Sequence, residues 1–316
     1  MLLRPRVVSS TLFGIFGAGT AAYLFIPDKS RSAPTVDNAS LSPCHFTRAT
    51  LTSSEPSGPN TKLLVLKVHG LPAHNHPSLL APIWSVFIKD DDIQVERPYT
   101  PLKGIDEHGR MLFWIKKYPK GEVGRWLHSK RVGDQIEFRG PLSTWAWKED
   151  GWDEIVMISG GTGITPFYQL LHSSLSKGDS KTRFTLLHSS ATPSELPPPA
   201  ILDPLRAHAA KNPEKFNIHL FVDRREGDNS TDLPPFQVGR ISKPAIQRSL
   251  GLHRSWWQSL FTQASVNAPR KTLFLVCGPE PMISAIAGPY GRNLSQGEIG
   301  GVLGELGYTS SEVYKL

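Results

Sequence analysis

Four short segments carry residue types that could do chemistry together. The first is Arg97-Pro98-Tyr99-Thr100-Pro101. Its guanidinium recognises phosphate bidentately. Two residues on, in an extended segment, the Tyr99 ring points to the same side and can lie against a flat heterocycle. The second is Gly121-Glu122-Val123-Gly124-Arg125-Trp126-Leu127, followed by Val132-Gly133-Asp134 and Gly140-Pro141. Its glycines expose backbone N–H groups to phosphate, with a helix start behind them. The third, Ser159-Gly160-Gly161-Thr162-Gly163-Ile164-Thr165-Pro166, follows an apolar run and opens a helical pattern. Glycines there let the backbone turn tightly and approach a pyrophosphate. The helix N-terminus adds free N–H groups and a positive dipole end, and Pro166 suits its first turn. The fourth, Val276-Cys277-Gly278-Pro279-Glu280-Pro281-Met282, is a second strand-to-helix turn of close approach. Taken singly, each has a plainer reading: a surface arginine, a packing tyrosine, or the tight loop of any α/β protein.

Two kinds of element must position these segments. From His45 to about Trp147 the chain reads as short strands and turns: Leu63 to Val68, Trp84 to Ile88, Leu112 to Ile115 and Gln135 to Phe138. Short, β-branched, alternating runs at this spacing predict a small antiparallel barrel. After Asp153 the pattern becomes strand, glycine turn, helix. Glu154 to Ile158 is a strand, and Phe167, Leu170, Leu171 and Leu175 follow at helical spacing as far as Gly178. Phe184 to Leu187, Ile218 to Val222 and Leu273 to Val276 repeat the strand signal. Such alternation predicts a parallel sheet with helices on both faces, and ligands at the carboxyl ends of its strands. The fold class expected is therefore a β-barrel domain over 44–148, then a Rossmann-like α/β domain over 149–316.

Composition narrows the chemistry. The chain has 316 residues, 20% of them charged, a formal charge of +7 and only two cysteines, Cys44 and Cys277. So few thiols argue against a disulfide framework or an iron–sulfur site, and no Cys-x-x-Cys-His motif exists for covalent haem. Redox activity would need a bound cofactor. The basic balance suits an acidic protein partner or an anionic membrane. No nucleic-acid motif is present. His69, His74 and His76 lie among Pro72 and Pro77, which reads as an irregular loop, and no metal is expected.

Residues 1–30 read as a targeting and anchoring segment. Arg4 and Arg6 precede an uncharged stretch from Val7 to Ile26, closed by Pro27, Asp28 and Lys29. Twenty helical residues span roughly 30 Å, enough for the hydrocarbon of a bilayer. A cleaved secretory signal would have a shorter core, and a soluble helix would need a polar face. A single transmembrane helix fits better, and basic residues without acids suit a mitochondrial address. The inner membrane is favoured over the outer, with the endoplasmic reticulum as the alternative. Residues 31–43 read as a linker.

In this order the four segments resemble the ferredoxin-reductase-like flavoproteins, and among them the NADH–cytochrome b5 reductase family, from about residue 45 to the end. The resemblance implies FAD on the barrel and a nicotinamide dinucleotide, NADH or NADPH, on the α/β domain. It implies Arg97 at the FAD pyrophosphate, with Pro98, Tyr99 and Thr100 against the ribityl chain and isoalloxazine. Gly121, Glu122, Val123 and Gly124 match the family's second phosphate loop, and Ile115 and Lys116 its neighbouring strand. Gly160, Gly161, Thr162, Gly163 and Pro166 would line the flavin–nicotinamide junction. Cys277, Gly278, Pro279 and Met282 would place the nicotinamide, with Cys277 packing beside it rather than attacking anything. Thr100, Thr162 and Cys277 are thus the residues expected at the reacting rings. Hydride transfer requires no acid–base pair, and none is evident.

Two departures stand out. Gly124 replaces a family Ser or Thr, removing a hydroxyl donor to phosphate and weakening the expected hold on FAD. The segment Gly251 to Lys271, with Trp256, Trp257 and Phe261, is longer than the family needs and is a candidate membrane or partner contact. Glu195 matches the acid that NADH enzymes direct at the adenosine ribose. Arg224 and Arg225 follow the third strand, where NADPH enzymes carry phosphate-binding arginine, so NADH is favoured with NADPH open. The expected acceptor is a one-electron haem protein of the b5 kind. Two rivals are an inner-membrane flavoprotein assisting haem attachment to c-type cytochromes, and a non-catalytic assembly scaffold on the same fold.

Overall fold

The computed structural model describes residues 33–68, 83–92, 94–146, 151–175, 181–225, 233–251 and 270–316. The expected anchor (7–26), the His69–His74–His76 loop and nearly all of the 251–271 segment lie outside them. No helix among the described residues is long and apolar enough to cross a membrane.

The amino-terminal half is an antiparallel barrel sheet of six strands: β1 (Thr47–Gly58), β2 (Thr61–Val68), β3 (Ile83–Lys89), β4 (Glu96–Tyr99), β5 (Arg110–Lys116) and β6 (Gln135–Trp145), in the order β4-β3-β6-β1-β2-β5. Four of these match runs seen in the sequence. β1 does not, although it sits inside the sheet between β6 and β2. Its inward positions Thr47, Ala49 and Leu51 alternate with exposed or half-buried Arg48, Thr50 and Thr52, so it shows little continuous apolar signal. β4 contains the Arg97–Tyr99 segment. A short helix, α1 (Glu122–Ser129), follows β5 and turns Val123 and Leu127 into the barrel core of Leu64, Phe113 and Phe138.

The carboxyl-terminal half is a parallel sheet of six strands: β7 (Glu154–Gly160), β8 (Arg183–Ser190), β9 (Phe216–Val222), β10 (Gln237–Val238), β11 (Thr272–Cys277) and β12 (Val313–Lys315), ordered β10-β9-β8-β7-β11-β12. Every residue of β7 is buried, as a central strand covered on both faces requires. Ile155 and Met157 face one core, with helix α2 (Thr165–Leu175) and helix α3 (Pro199–Lys211); Val156 and Ile158 face the other, with helices α4 (Lys243–Ser249), α5 (Glu280–Ala287) and α6 (Gly301–Glu305). The strand order changes direction about β7, so the carboxyl ends of β7, β8 and β11 border a crevice where ligands of such sheets bind.

The two halves share one core. Ile83, Leu102 and Trp114 of the barrel pack in the same apolar cluster as Ile164, Phe167 and Leu170 of the α/β half. This continuous contact fixes the Gly121–Gly124 and Gly160–Gly163 turns relative to each other.

Candidate functional site

Between the halves lies a cleft of about 640 Å³, within the range usual for cofactor sites. One wall is Arg97, Pro98, Tyr99 and Thr100; the floor is Ile115 and Lys116; Gly121, Glu122, Val123 and Gly124 close one end. The opposite wall is Gly160, Thr162, Gly163 and Pro166 with Cys277, Gly278 and Pro279. A second cleft of about 310 Å³ adjoins it, sharing Lys116, Gly160 and Pro279, and adding Gly161, Glu195 and Met282. All the site residues read from the sequence are thereby brought together on two neighbouring surfaces.

The barrel wall presents a positive charge, Arg97, beside an aromatic ring, Tyr99. β4 is an edge strand among the described residues, with no ladder bonds on its outer side there. The Arg97 guanidinium stays solvent-facing, donating only to the Glu96 carbonyl at 2.8 Å among the bonds described. Burial drives the Tyr99 phenol well above its ordinary pKa, against the opposing pull of the Arg97 charge. It remains a protonated donor. Across from it, α1 begins at Gly121 with no side-chain cap, leaving its first N–H groups for a ligand.

Gly124 sits in a tight spot. A β-carbon there would sit 3.0 Å from the Lys116 carbonyl and 3.8 Å from the Tyr99 hydroxyl. α1 presses closely on the end of β5, so a serine there would require the Lys116 carbonyl to give by a few tenths of an ångström.

The sheet wall is built by backbone. A β-carbon on Gly163 would run into the Cys277 carbonyl, and one on Gly278 would approach the Gly160 nitrogen to 3.0 Å. The two strand-to-helix turns thus interlock through their glycines. Gly161 holds φ +54°, a left-handed conformation that glycine adopts without strain. Cys277 is half-buried at the junction of the walls, and burial pushes its thiol up to about 12, so it is neither a thiolate nor a nucleophile at neutral pH.

In the second cleft Lys116 Nζ and Glu195 Oε2 meet at 2.5 Å, an ion pair across the two halves. Asp223, at the end of β9, and Arg240 also line this cleft and pair at 3.4 Å. Arg224 and Arg225, the residues that kept NADPH open, are exposed and line neither cleft. The acids lining this cleft are Glu195 and Asp223. The sequence reading missed Asp223, though the first acid after a strand ending on the ligand rim was a usable signal.

A buried relay was also missed. Ser159 Oγ lies 2.8 Å from His188 Nδ1, His188 Nε2 lies 3.2 Å from Ser190 Oγ, and Ser190 donates to the Glu195 carbonyl at 3.1 Å. Since the Ser190 hydrogen goes to Glu195, its oxygen accepts from His188 Nε2–H, and Nδ1 accepts from Ser159. Burial pushes the His188 pKa down to about 3, so the ring is neutral. This chain ties the strand before the glycine turn to the turn carrying Glu195.

A family model described as the oxidoreductase FAD-binding domain matches residues 48–147, and one described as the oxidoreductase NAD-binding domain matches residues 157–288. The class is thus an oxidoreductase that binds FAD and NAD. NADH-cytochrome b5 reductase 2 of Scheffersomyces stipitis is 32% identical over 268 residues, covering 84% of this chain and 81% of that protein. Its counterpart in Mycosarcoma maydis is 30% identical, covering 91% and 77%. The chain belongs to the NADH–cytochrome b5 reductase family. Among solved structures, the cytochrome b5 reductase domain of Ulva prolifera nitrate reductase superposes with a TM-score of 0.63 at 21% identity, covering 87% of this chain and 99% of that one. A ferredoxin NADP+ reductase from Neisseria gonorrhoeae gives 0.58 at 18%, covering 86% and 98%. These share the fold.

Proposed function

We propose that the chain takes hydride from NADH onto FAD and passes electrons singly to a haem protein of the b5 type. The observation that carries this reading is the single cleft in which the barrel's Arg97–Thr100 wall faces the sheet's Gly160–Gly163 and Cys277–Pro279 turns. Bound FAD would supply the hydride acceptor and the one-electron donor. Arg97 and the α1 N-terminus would hold its pyrophosphate, with Tyr99 donating from a phenol that burial keeps protonated. Thr100, Thr162 and Cys277 would flank the reacting rings, and the uncharged Cys277 thiol leaves the hydride path free of a competing nucleophile.

Glu195 and Asp223 would accept from the adenosine ribose and repel a 2′-phosphate, which favours NADH over NADPH. Lys116 would leave Glu195 for the dinucleotide's own charge. The acceptor class is supported by the names of the relatives and by the formal charge of +7, which favours docking on an acidic haem protein. We assign residues 7–26 to a single-pass anchor in a mitochondrial membrane, the inner one favoured, on the strength of the twenty uncharged residues behind Arg4 and Arg6.

The test is NADH-driven reduction of soluble cytochrome b5 by the full chain in detergent, at rising salt. Turnover that slows with ionic strength is expected. A protein that reduces ferricyanide with NADH but never cytochrome b5 would refute the acceptor and leave the flavin chemistry standing.

A further inference from the structure

Behind the cleft, a buried amide crosses the largely apolar contact between the halves. Gln169, on α2, is 4% exposed and lies next to Tyr168 and Leu170 of the shared core. Its Oε1 accepts from the Trp84 backbone N–H at 2.8 Å, and its Nε2 donates to the Pro101 carbonyl at 3.0 Å. Both partners belong to the barrel.

The placement follows from strand register. In the β3–β4 pair, Ile88 stands opposite Arg97 and Val86 opposite Tyr99. Two residues further, Trp84 would stand opposite Pro101. This set of facing residues is the hydrogen-bonded one, since Asp90 N–H donates to the Val95 carbonyl at 3.1 Å in the same alternation. Proline has no N–H, so Trp84 and Pro101 could never exchange a full pair of bonds. β4 instead ends at Tyr99, and the carboxamide of Gln169 fills the next rung from the other half of the molecule.

We propose that Gln169 is a positioning residue for hydride transfer, setting the flavin-side turn at Thr100–Pro101 against the nicotinamide-side turn at Gly160–Gly163. Pro101 adjoins Thr100 on one wall of the cleft, and the helix bearing Gln169 starts two residues after Gly163 on the other. Gln169 itself lines neither cleft. It acts through the backbone that does. Removing the amide strands the Trp84 N–H and the Pro101 carbonyl in an apolar contact, and such groups shift to regain partners. A misplacement of about 1 Å between reacting groups costs on the order of 100-fold in rate, so even a partial shift is readable.

This inference rests on the reading of the cleft as the hydride-transfer site. The experiment compares the full-length protein with Gln169→Met, which keeps the volume, and Gln169→Asn, which keeps the amide but shortens its reach. Three readings are taken: flavin bound per chain, the anaerobic rate of flavin reduction by NADH per bound flavin, and hydrogen–deuterium exchange at residues 83–86 with and without flavin. The expected result is full flavin content, a half-saturating NADH concentration within about threefold of wild type, a rate lower by about tenfold or more, and faster exchange at the Trp84 amide. Wild-type rates per bound flavin in either variant would overturn the proposal. So would loss of flavin from both variants, which would assign Gln169 to holding the barrel together rather than to alignment. A wild-type protein that NADH does not reduce would overturn the parent reading as well.

Discussion

The two glycine-bearing turns of the site solve the same problem by different means. On the barrel side, Gly121–Gly124 gives a helix start, and charge comes from a separate strand through Arg97. On the sheet side, Gly160–Gly163 contributes almost no side chain, and its shape is fixed by backbone contact with Cys277 and Gly278. On the proposed reading the barrel would hold its ligand through groups that can be removed singly, while the sheet would hold its ligand through a shape that a single methyl can spoil. One half should fail by losing affinity, the other by losing alignment.

The sharpest break is Gly163→Ala. Its β-carbon collides with the Cys277 carbonyl, a backbone atom with little freedom to retreat. Flavin reduction by NADH should drop by about 100-fold or more while FAD stays bound; rapid-mixing absorbance against flavin content checks both halves at once. Arg97→Leu should do the reverse. Loss of a charge-assisted phosphate contact of about 2 kcal/mol weakens FAD by roughly 30-fold, as flavin fluorescence on dilution would show, with the reduction rate per remaining flavin nearly unchanged.

The relay at His188 separates the halves by pH. Its folded-state pKa is depressed to about 3 by burial, against about 6.5 in the unfolded chain. Below pH 6.5 the unfolded state binds a proton that the folded state refuses, so stability falls as pH falls, at up to about 1.4 kcal/mol per pH unit and until the folded pKa is reached. From pH 6.5 to pH 5 the sheet half should lose about 2 kcal/mol by denaturant titration, and His188→Phe should flatten that slope. His219, also lowered by burial, adds in the same direction. Smaller again is Asp223→Ser, which should raise the NADPH/NADH ratio of kcat/KM by about tenfold without touching FAD; an unchanged ratio would leave Glu195 alone as the discriminating acid.

How much of this was legible in the sequence follows the same division. The turns could be read because each is contiguous: a ligand-facing glycine, its neighbours and the following helix start lie within eight residues. The barrel's β1 could not, because a strand with one inward residue in two and threonines at its alternate positions offers little apolar signal. Asp223, His188 and Gln169 were missed for another reason. Each acts on a segment far away in the chain, and only the parallel sheet order or the β3–β4 register brings the partners together. The Gly124 departure was visible, but the close approach of the Lys116 carbonyl beside it was not.

The most direct test of the account is anaerobic titration of the purified full-length protein with NADH, and separately NADPH, following flavin absorbance. Bleaching at one NADH per flavin, with NADPH requiring a large excess, is the result the two facing walls and the Glu195–Asp223 pair require. A tightly bound flavin that neither nucleotide bleaches would contradict it, leaving a fold with both walls in place and no hydride passing between them.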